Sequence, residues 1–364
     1  MMPAMQTSQT YSNDSETVER GEPSFVRLTS ALVGLLIVTF ALALLTGPMS
    51  ITIGDVVTGI SRTLQGLGVD GSADWVVQEL RLPRAILAAL VGAGLAVAGA
   101  VTQGVFRNPL ADPGLIGVAS GAALAAVAVI VLSASVLSGW KALTGPFALP
   151  IAAFLGGLLV TLVIYRLGTI GGKTQVAILL LAGVAINVLA GAATGVLTYL
   201  ADDQQLRDMT FWSMGSLAHG RWPEITALCV FILPPLIFML RSARVLNALL
   251  MGEQVAVHLG FNVQSSKRWL LIGAALIVGS SVAVTGMIGF IGLVVPHLLR
   301  LVVGADHRQL LPLSALAGAS LLLVADTLAR TVIAPADLPV GLVMALIGGP
   351  VFLTLLLQQT KRWQ

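Results

Sequence analysis

The sequence predicts an all-α polytopic membrane protein of about ten transmembrane helices with an inverted internal repeat. Three observations carry that prediction. Hydrophobic residues make up 56% of the chain and charged residues only 10%, against about 25% charged in an ordinary soluble domain. The apolar residues fall in runs close to the roughly 20 needed to cross a bilayer as a helix. GLAVAGAVTQGVF in the second run also resembles GSSVAVTGMIGF in the seventh. Five spans apart, the two copies run in opposite directions, an arrangement common in transporters.

Along the chain, residues 1–26 are polar and acidic, with no basic stretch before an apolar core. That is not a secretory signal peptide; it reads as a disordered cytoplasmic tail, leaving 27–364 as the membrane domain. Apolar windows place spans at 27–46, 84–103, 114–135, 147–167, 176–200, 224–241, 268–285, 288–303, 309–330 and 338–359. ITIGDVVTGISRTL, of mixed polarity, reads as an amphipathic surface helix before the second span. VTGMIGFIG, between the seventh and eighth, is a glycine-punctuated apolar stretch instead of a polar loop.

An even number of spans puts both termini on one side, and the positive-inside rule selects the cytoplasm. With that topology Arg62, Arg81, Arg84, Lys141, Arg207, Arg221 and Arg330 lie outside, and the remaining thirteen of the 20 lysines and arginines lie inside. The net charge of +3 is then a cytoplasmic basic excess, not a nucleic-acid surface. The single Cys229 excludes a disulfide framework. His219, His258, His297 and His307 form no paired motif, so no protein-bound metal is expected.

Motifs divide between chemistry and architecture. GTIGGKT (168–174) mimics a phosphate-binding loop, but Leu167 stands where the pattern needs glycine. It reads as a cytoplasmic turn, and the chain is not expected to hydrolyse ATP. RLPR (81–84) starts the second span, with Pro83 in its first turn. Its arginines either snorkel to headgroups or, with Arg330 on the same side, form a docking site for an acidic partner. Gly191 and Gly195 form a GxxxG in the fifth span, for internal packing or a subunit interface. Asn187 and Thr194 in that span line a path or bond a neighbouring helix.

DDQQLRDMTFWSMGSL (202–217) follows on the outer side. Its aromatics suit an interfacial belt. Arg207, Met209, Phe211, Trp212 and Met214 together also suit a flat apolar ligand bearing carboxylates. Asp326 is the one acid inside a span and so a candidate for proton coupling. Arg330, four residues on, offers a local ion pair instead. The 241–268 connection, with helices expected at about 245–262 around a Gly252 turn, forms a cytoplasmic knob. In RNPLADPG, Pro109 and Pro113 end one span and set the next, while Asn108 and Asp112 cap the turn. That makes a rigid cytoplasmic corner.

RLPR, GLAVAGAVTQGVFRNPLADPGLIGVASGAALA, LLLAGVAIN, LLMGEQVAVHLG, GFIGLVVPHLLRLVVGADHRQLLPLSALAGASLLLVADTLAR and ADLPVGLVMALIGGPVFLTLL resemble the FecCD family from about Arg81 onward. These are permease subunits of bacterial ABC importers for iron-siderophores, haem and cobalamin. The resemblance implies a type II importer permease in the bacterial inner membrane: a homodimer with its path on the dimer axis, lined by the fifth and tenth helices. It further implies two cytoplasmic ATPase subunits that carry ATP and magnesium, and a periplasmic binding protein. Arg81, Arg84 and Arg330 match the family's docking arginines. Leu249, Gly252, Glu253, Ala256, Leu259 and Gly260 match its coupling helices. Gly191 and Gly195 gain weight as dimer interface, and Asn187 as path. The run around Arg207 is similar to that of haem-uptake members, which implies haem as transported substrate, delivered by a haem-binding protein, with no permanent cofactor. Ferric siderophore is the alternative, cobalamin a lesser one, and a proton-coupled secondary transporter the remote one.

Overall fold

The computed structural model describes residues 25–133, 135–171 and 173–362. Most of the expected N-terminal tail lies outside them, and Phe25 and Val26 open the first helix. The helices, in order, are α1 (Phe25–Leu45), α2 (Ile53–Leu64), α3 (Ser72–Trp75), α4 (Leu82–Phe106), α5 (Val118–Leu132), α6 (Ser138–Thr144), α7 (Ala148–Leu167) and α8 (Val176–Leu200). Then come α9 (Asp203–Ser213), α10 (Trp222–Arg241), α11 (Ala243–Leu250), α12 (Glu253–His258), α13 (Val263–Thr285), α14 (Ile291–Val303), α15 (His307–Thr331) and α16 (Val340–Arg362). A two-residue hairpin, β1 (Thr169–Ile170) with β2 (Lys173–Thr174), separates α7 from α8. Among the described residues seven helical stretches are long and apolar enough to cross a membrane. Val118–Leu132, Ile291–Val303 and Val340–Thr354 are shorter apolar helices.

Small residues decide which helices go to the centre. The apolar window of α4 is 78% buried and that of α13 72%, whereas those of α1 and α8 are 17% buried. The latter two therefore present apolar faces outward. α4 packs on α15, α14, α13 and α10 at once. It can do so because glycines meet at its crossings. A Cβ on Gly92 would overlap the Gly318 carbonyl of α15, and one on Gly99 would overlap the Gly292 carbonyl of α14. Gly121 and Gly156 make the same close approach between α5 and α7. Lipid supplies little hydrophobic drive between helices, so close backbone packing carries the association.

Local chemistry sets the ends. Thr52 caps α2 reciprocally with Asp55, and the helix lies on the surface with Ile53 and Val57 exposed. α4 enters through a π-helical stretch, Val76–Arg81, and stops at Arg107 in the left-handed region (φ 51°). Asn108 Oδ1 then accepts from the Leu110 N–H at 2.9 Å, and Asp112 Oδ1 from the Gly114 N–H at 2.7 Å. The corner does more than turn. Pro113 packs on Gly292, and Gly117 on Val160 and Ile164, so 113–117 folds back between the helices. The glycine-punctuated stretch breaks the helix between α13 and α14, with Gly286 at φ 66° and Phe290 at φ 69°. A bulky residue in that region is uncommon.

Candidate functional site

At one end of the bundle two arginines converge on one buried aspartate, and a third lies beside them. Arg84 Nε donates to Asp326 Oδ1 at 2.9 Å, and its Nη1 reaches Asp337 Oδ2 at 2.6 Å. Arg330 Nε lies 3.2 Å from Asp326 Oδ2. The i,i+4 pair is therefore present, but Arg84, 242 positions away in sequence, is the closer partner. Arg81 Nη1 donates to the Leu44 and Leu45 carbonyls, and its Nη2 to that of Met49. Arg330 donates to Ala43 and Thr46. Ala43, Leu44 and Leu45 carry carbonyls that a helix leaves unpaired at its C-terminus, where cations are favoured, and Thr46 and Met49 follow just beyond it. Arg81 and Arg330 are 5% and 6% exposed, so this conformation turns them inward onto the end of α1. Asp337 is the exposed member, its side chain 35% accessible.

α8 and α9 form a second surface. Gly191 and Gly195 face open space within the chain, with nothing within 4 Å of an added Cβ. Val184, Val188 and Val196 are exposed on the same helix. Asn187 Oδ1 instead accepts from the Ser120 hydroxyl at the start of α5. Thr194 bonds the Ala190 carbonyl of its own helix. On α9, Arg207 and Phe211 share an exposed face, and Arg207 also bonds Gln204. Met209 is 9% exposed and packs with Val127 and Val131 of α5. Trp212 is half-buried against the main core, its Nε1 enclosed and unpartnered among the described residues. Met214 is half-buried, its carbonyl against Gly341 at the start of α16. The five residues thus divide between opposite sides of α9.

The knob has its own small core of Ala248, Leu249, Ala256 and Val263. Gly252 (φ 117°) separates α11 from α12, and Gly260 (φ 84°) ends the second helix turn. Glu253 pairs with Lys267 Nζ at 2.5 Å, and that lysine is 1% exposed. Met251, Val257 and Leu259 are exposed. Leu246 of α11 sets the knob into the main core beside Gly104, and side-chain hydrogen bonds add to that seat. Asn247 donates to Asp306 Oδ1 at 2.6 Å and accepts from the His307 N–H at 2.9 Å. The Thr174 N–H of the hairpin donates to Gln264 at 2.9 Å. Burial pushes the Asp306 carboxyl up, but the Arg308 N–H and the Asn247 amide outweigh it and hold the group below its ordinary value.

Lys267, Asn247, Asp337 and Gln103 escape a reading by motif, since each acts through a partner on another element. Gln103 left one trace: a lone amide in a 25-residue apolar helix needs a partner. Among the described residues no three His, Cys, Asp or Glu side chains come together as a metal site.

The FecCD transport family matches residues 35–358. The chain is 49% identical over 310 residues to the hemin transport system permease protein HmuU of Yersinia pestis, covering 83% of this chain and 89% of that one. It is 44% identical over 295 residues to the cobalamin import system permease protein BtuC of Halobacterium salinarum, covering 81% and 77%. A solved structure described as an inward-facing conformation of a metal-chelate type ABC transporter superposes with a TM-score of 0.78 at 30% identity, over 92% of this chain and 99% of that one.

Proposed function

The chain belongs to the FecCD transport family, as a multi-pass permease subunit of an ABC importer and not itself an ATPase, and from that premise we propose that its cargo is haem. The observation that carries the cargo is the 49% identity to a hemin permease over most of both chains. The exposed pairing of Arg207 with Phe211 on α9 agrees with it: a guanidinium suits a propionate, and an aromatic ring suits a macrocycle face. The 44% identity to a cobalamin permease keeps corrinoids as the second reading.

The remaining parts follow the same proposal. Seven long and three shorter apolar helices make ten crossings, related by an inverted repeat, with both termini cytoplasmic in the inner membrane. Two copies pair through the open face of α8 at Gly191 and Gly195, and the path runs between them past Asn187 and Thr194. ATP binding in two cytoplasmic ATPase subunits acts through Leu249, Gly252, Glu253, Ala256, Leu259 and Gly260, closing the inner side and opening the outer. A periplasmic binding protein docks its acidic residues on Arg81, Arg84 and Arg330, delivers haem, and hydrolysis resets the dimer.

Proteoliposomes holding the permease, its ATPase and its binding protein test this. Haem should accumulate only with ATP. Accumulation of a ferric siderophore or cobalamin in place of haem would sink the cargo assignment. Arg207→Ala should cut haem uptake several-fold while basal ATPase activity stays within about twofold of wild type, on the scale of one charge-assisted hydrogen bond.

A further inference from the structure

α14 carries a proline inside it, Pro296. Proline has no N–H, so the carbonyl four residues before it loses its helical donor; that carbonyl belongs to Gly292. The lost donor is supplied from another helix. Gln103 of α4, 2% exposed, points its Nε2 at the Gly292 carbonyl (3.2 Å) and the Leu293 carbonyl (3.3 Å). Its Oε1 accepts from Arg300 Nη1 at 2.8 Å. One buried amide therefore spans α14 from its first turn to its last.

What this amide holds is not a passive helix end. The stretch just before it, Met287–Phe290, forms one wall of a cavity of about 180 Å³, and Asp112–Gly114 of the folded-back corner forms another. Phe290, in its left-handed conformation, packs on Gly348 of α16. The Met287 carbonyl sits against Gly215 and Gly341. The start of α14 thus touches the corner, the end of α9 and α16, so its placement sets the shape of the space among them. A structural role alone would require only that some donor reach Gly292.

We infer that Gln103 is a positioning residue for transport: it replaces the hydrogen bond that Pro296 removes, and so fixes the start of α14 against the corner at Asp112–Gly114. This rests on the reading of the chain as the importer's path, and it adds a residue that no motif assigns. The amide is needed for its donor, not for its bulk. Gln103→Leu and Gln103→Glu should both lower uptake about tenfold, since a carboxylate keeps Arg300 but offers no N–H to Gly292. Pro296→Ala restores a backbone N–H at position 296, so the double variant Gln103→Leu/Pro296→Ala should return to within about twofold of wild type.

The readout has two arms. Haem uptake per ATP hydrolysed is measured in proteoliposomes of the full complex. Separately, spin labels at Ala119→Cys and Ile288→Cys, across the cavity, report its width in a Cys229→Ser background without any cargo. The labelled distance should change and broaden in Gln103→Leu and recover with Pro296→Ala. A distance unmoved by Gln103→Leu, or a loss that Pro296→Ala leaves unrepaired, overturns the inference. If wild type fails to carry haem while the distances behave as stated, the cargo reading fails and the positioning role stands. Should Gln103→Leu not fold, Gln103→Glu with and without Pro296→Ala gives the same comparison.

Discussion

The two charged regions of this permease are built on opposite plans. The arginine cluster is braced from far across the sequence: α1, α4, α15 and the loop after it all contribute, and it belongs to the main core. The knob is closed by one pair fourteen residues apart, around a small core of its own, and is seated on the bundle where Leu246 of α11 enters the main core and Asn247 bonds Asp306. The first is a fixed part of the bundle. The second is a locally closed unit seated on the bundle at α11, so that a push from a motor would pass to α4 and α15. Substitutions can break or sharpen that contrast.

The largest effect should come from the fixed cluster. Asp326 is 1% exposed and faces both Arg84 and Arg330. Asp326→Asn leaves the buried Arg330 without an anion and Arg84 with Asp337 alone, and breaking such a pair costs about 3–5 kcal/mol. Thermal unfolding of the detergent-purified permease should show a clear loss of stability. A normally stable Asp326→Asn protein that lost uptake alone would instead favour proton coupling at this carboxyl.

The knob should respond asymmetrically. Lys267 is buried at 1% while the Glu253 side chain is 37% exposed. Glu253→Gln strands a buried ammonium, whereas Lys267→Met leaves a carboxylate that water can reach. A charged hydrogen bond is worth about 1.5–3 kcal/mol, so Glu253→Gln should loosen the knob by about that much and Lys267→Met by less. Hydrogen exchange over 245–262 would measure it. Equal loosening, or unfolding of the whole bundle by either change, would remove the distinction between the two regions.

The same contrast explains what the sequence could reveal. The long spans were legible from apolar runs, because composition alone decides whether a helix suits lipid. The turns of the knob were legible too, since Gly252 and Gly260 stand where the chain turns, but its seat on the bundle through Leu246 and Asn247 was not. Asp326 and Arg330 were visible at helical spacing, but Arg84 was not, because nothing local links positions 242 apart. The corner was legible in its caps but not in its packing, for a related reason. Asn108 and Asp112 cap it as their side chains dictate, yet only packing on Gly292 and Ile164 folds it back between helices. The five residues read as one surface on α9 divide because a helix turns Met209 away from Arg207 and Phe211. Spacing was informative there, and the direction of the core was missing.

The links between knob and bundle come next in size. Asn247 serves Asp306 and His307 together. Asn247→Ala should cost about 1–2 kcal/mol, as two hydrogen bonds partly replaced by water. Its effect on coupling should exceed its effect on stability: ATP hydrolysis continues while uptake per ATP falls. Uptake that stays strictly proportional to hydrolysis would mean that the stroke passes elsewhere, through the hairpin at Thr174 or through the apolar core.

The smallest change in stability should come from the exposed edge of the arginine cluster. Asp337 holds Arg84 Nη1 at 2.6 Å but is 35% accessible, and exposed pairs contribute about 0–1 kcal/mol. Asp337→Asn should therefore leave the unfolding midpoint nearly unchanged. If the binding protein docks acids on these arginines, Asp337 is the carboxylate it must displace, and removing that competitor should speed association, more so at low salt. Binding-protein association with reconstituted permease, measured at two ionic strengths, separates the cases. Faster, salt-sensitive association supports an exchange of carboxylates on Arg84. Unchanged association, with unchanged stability, would leave Arg81 and Arg330 as braces for the end of α1 and Arg84 as the structural partner of Asp326.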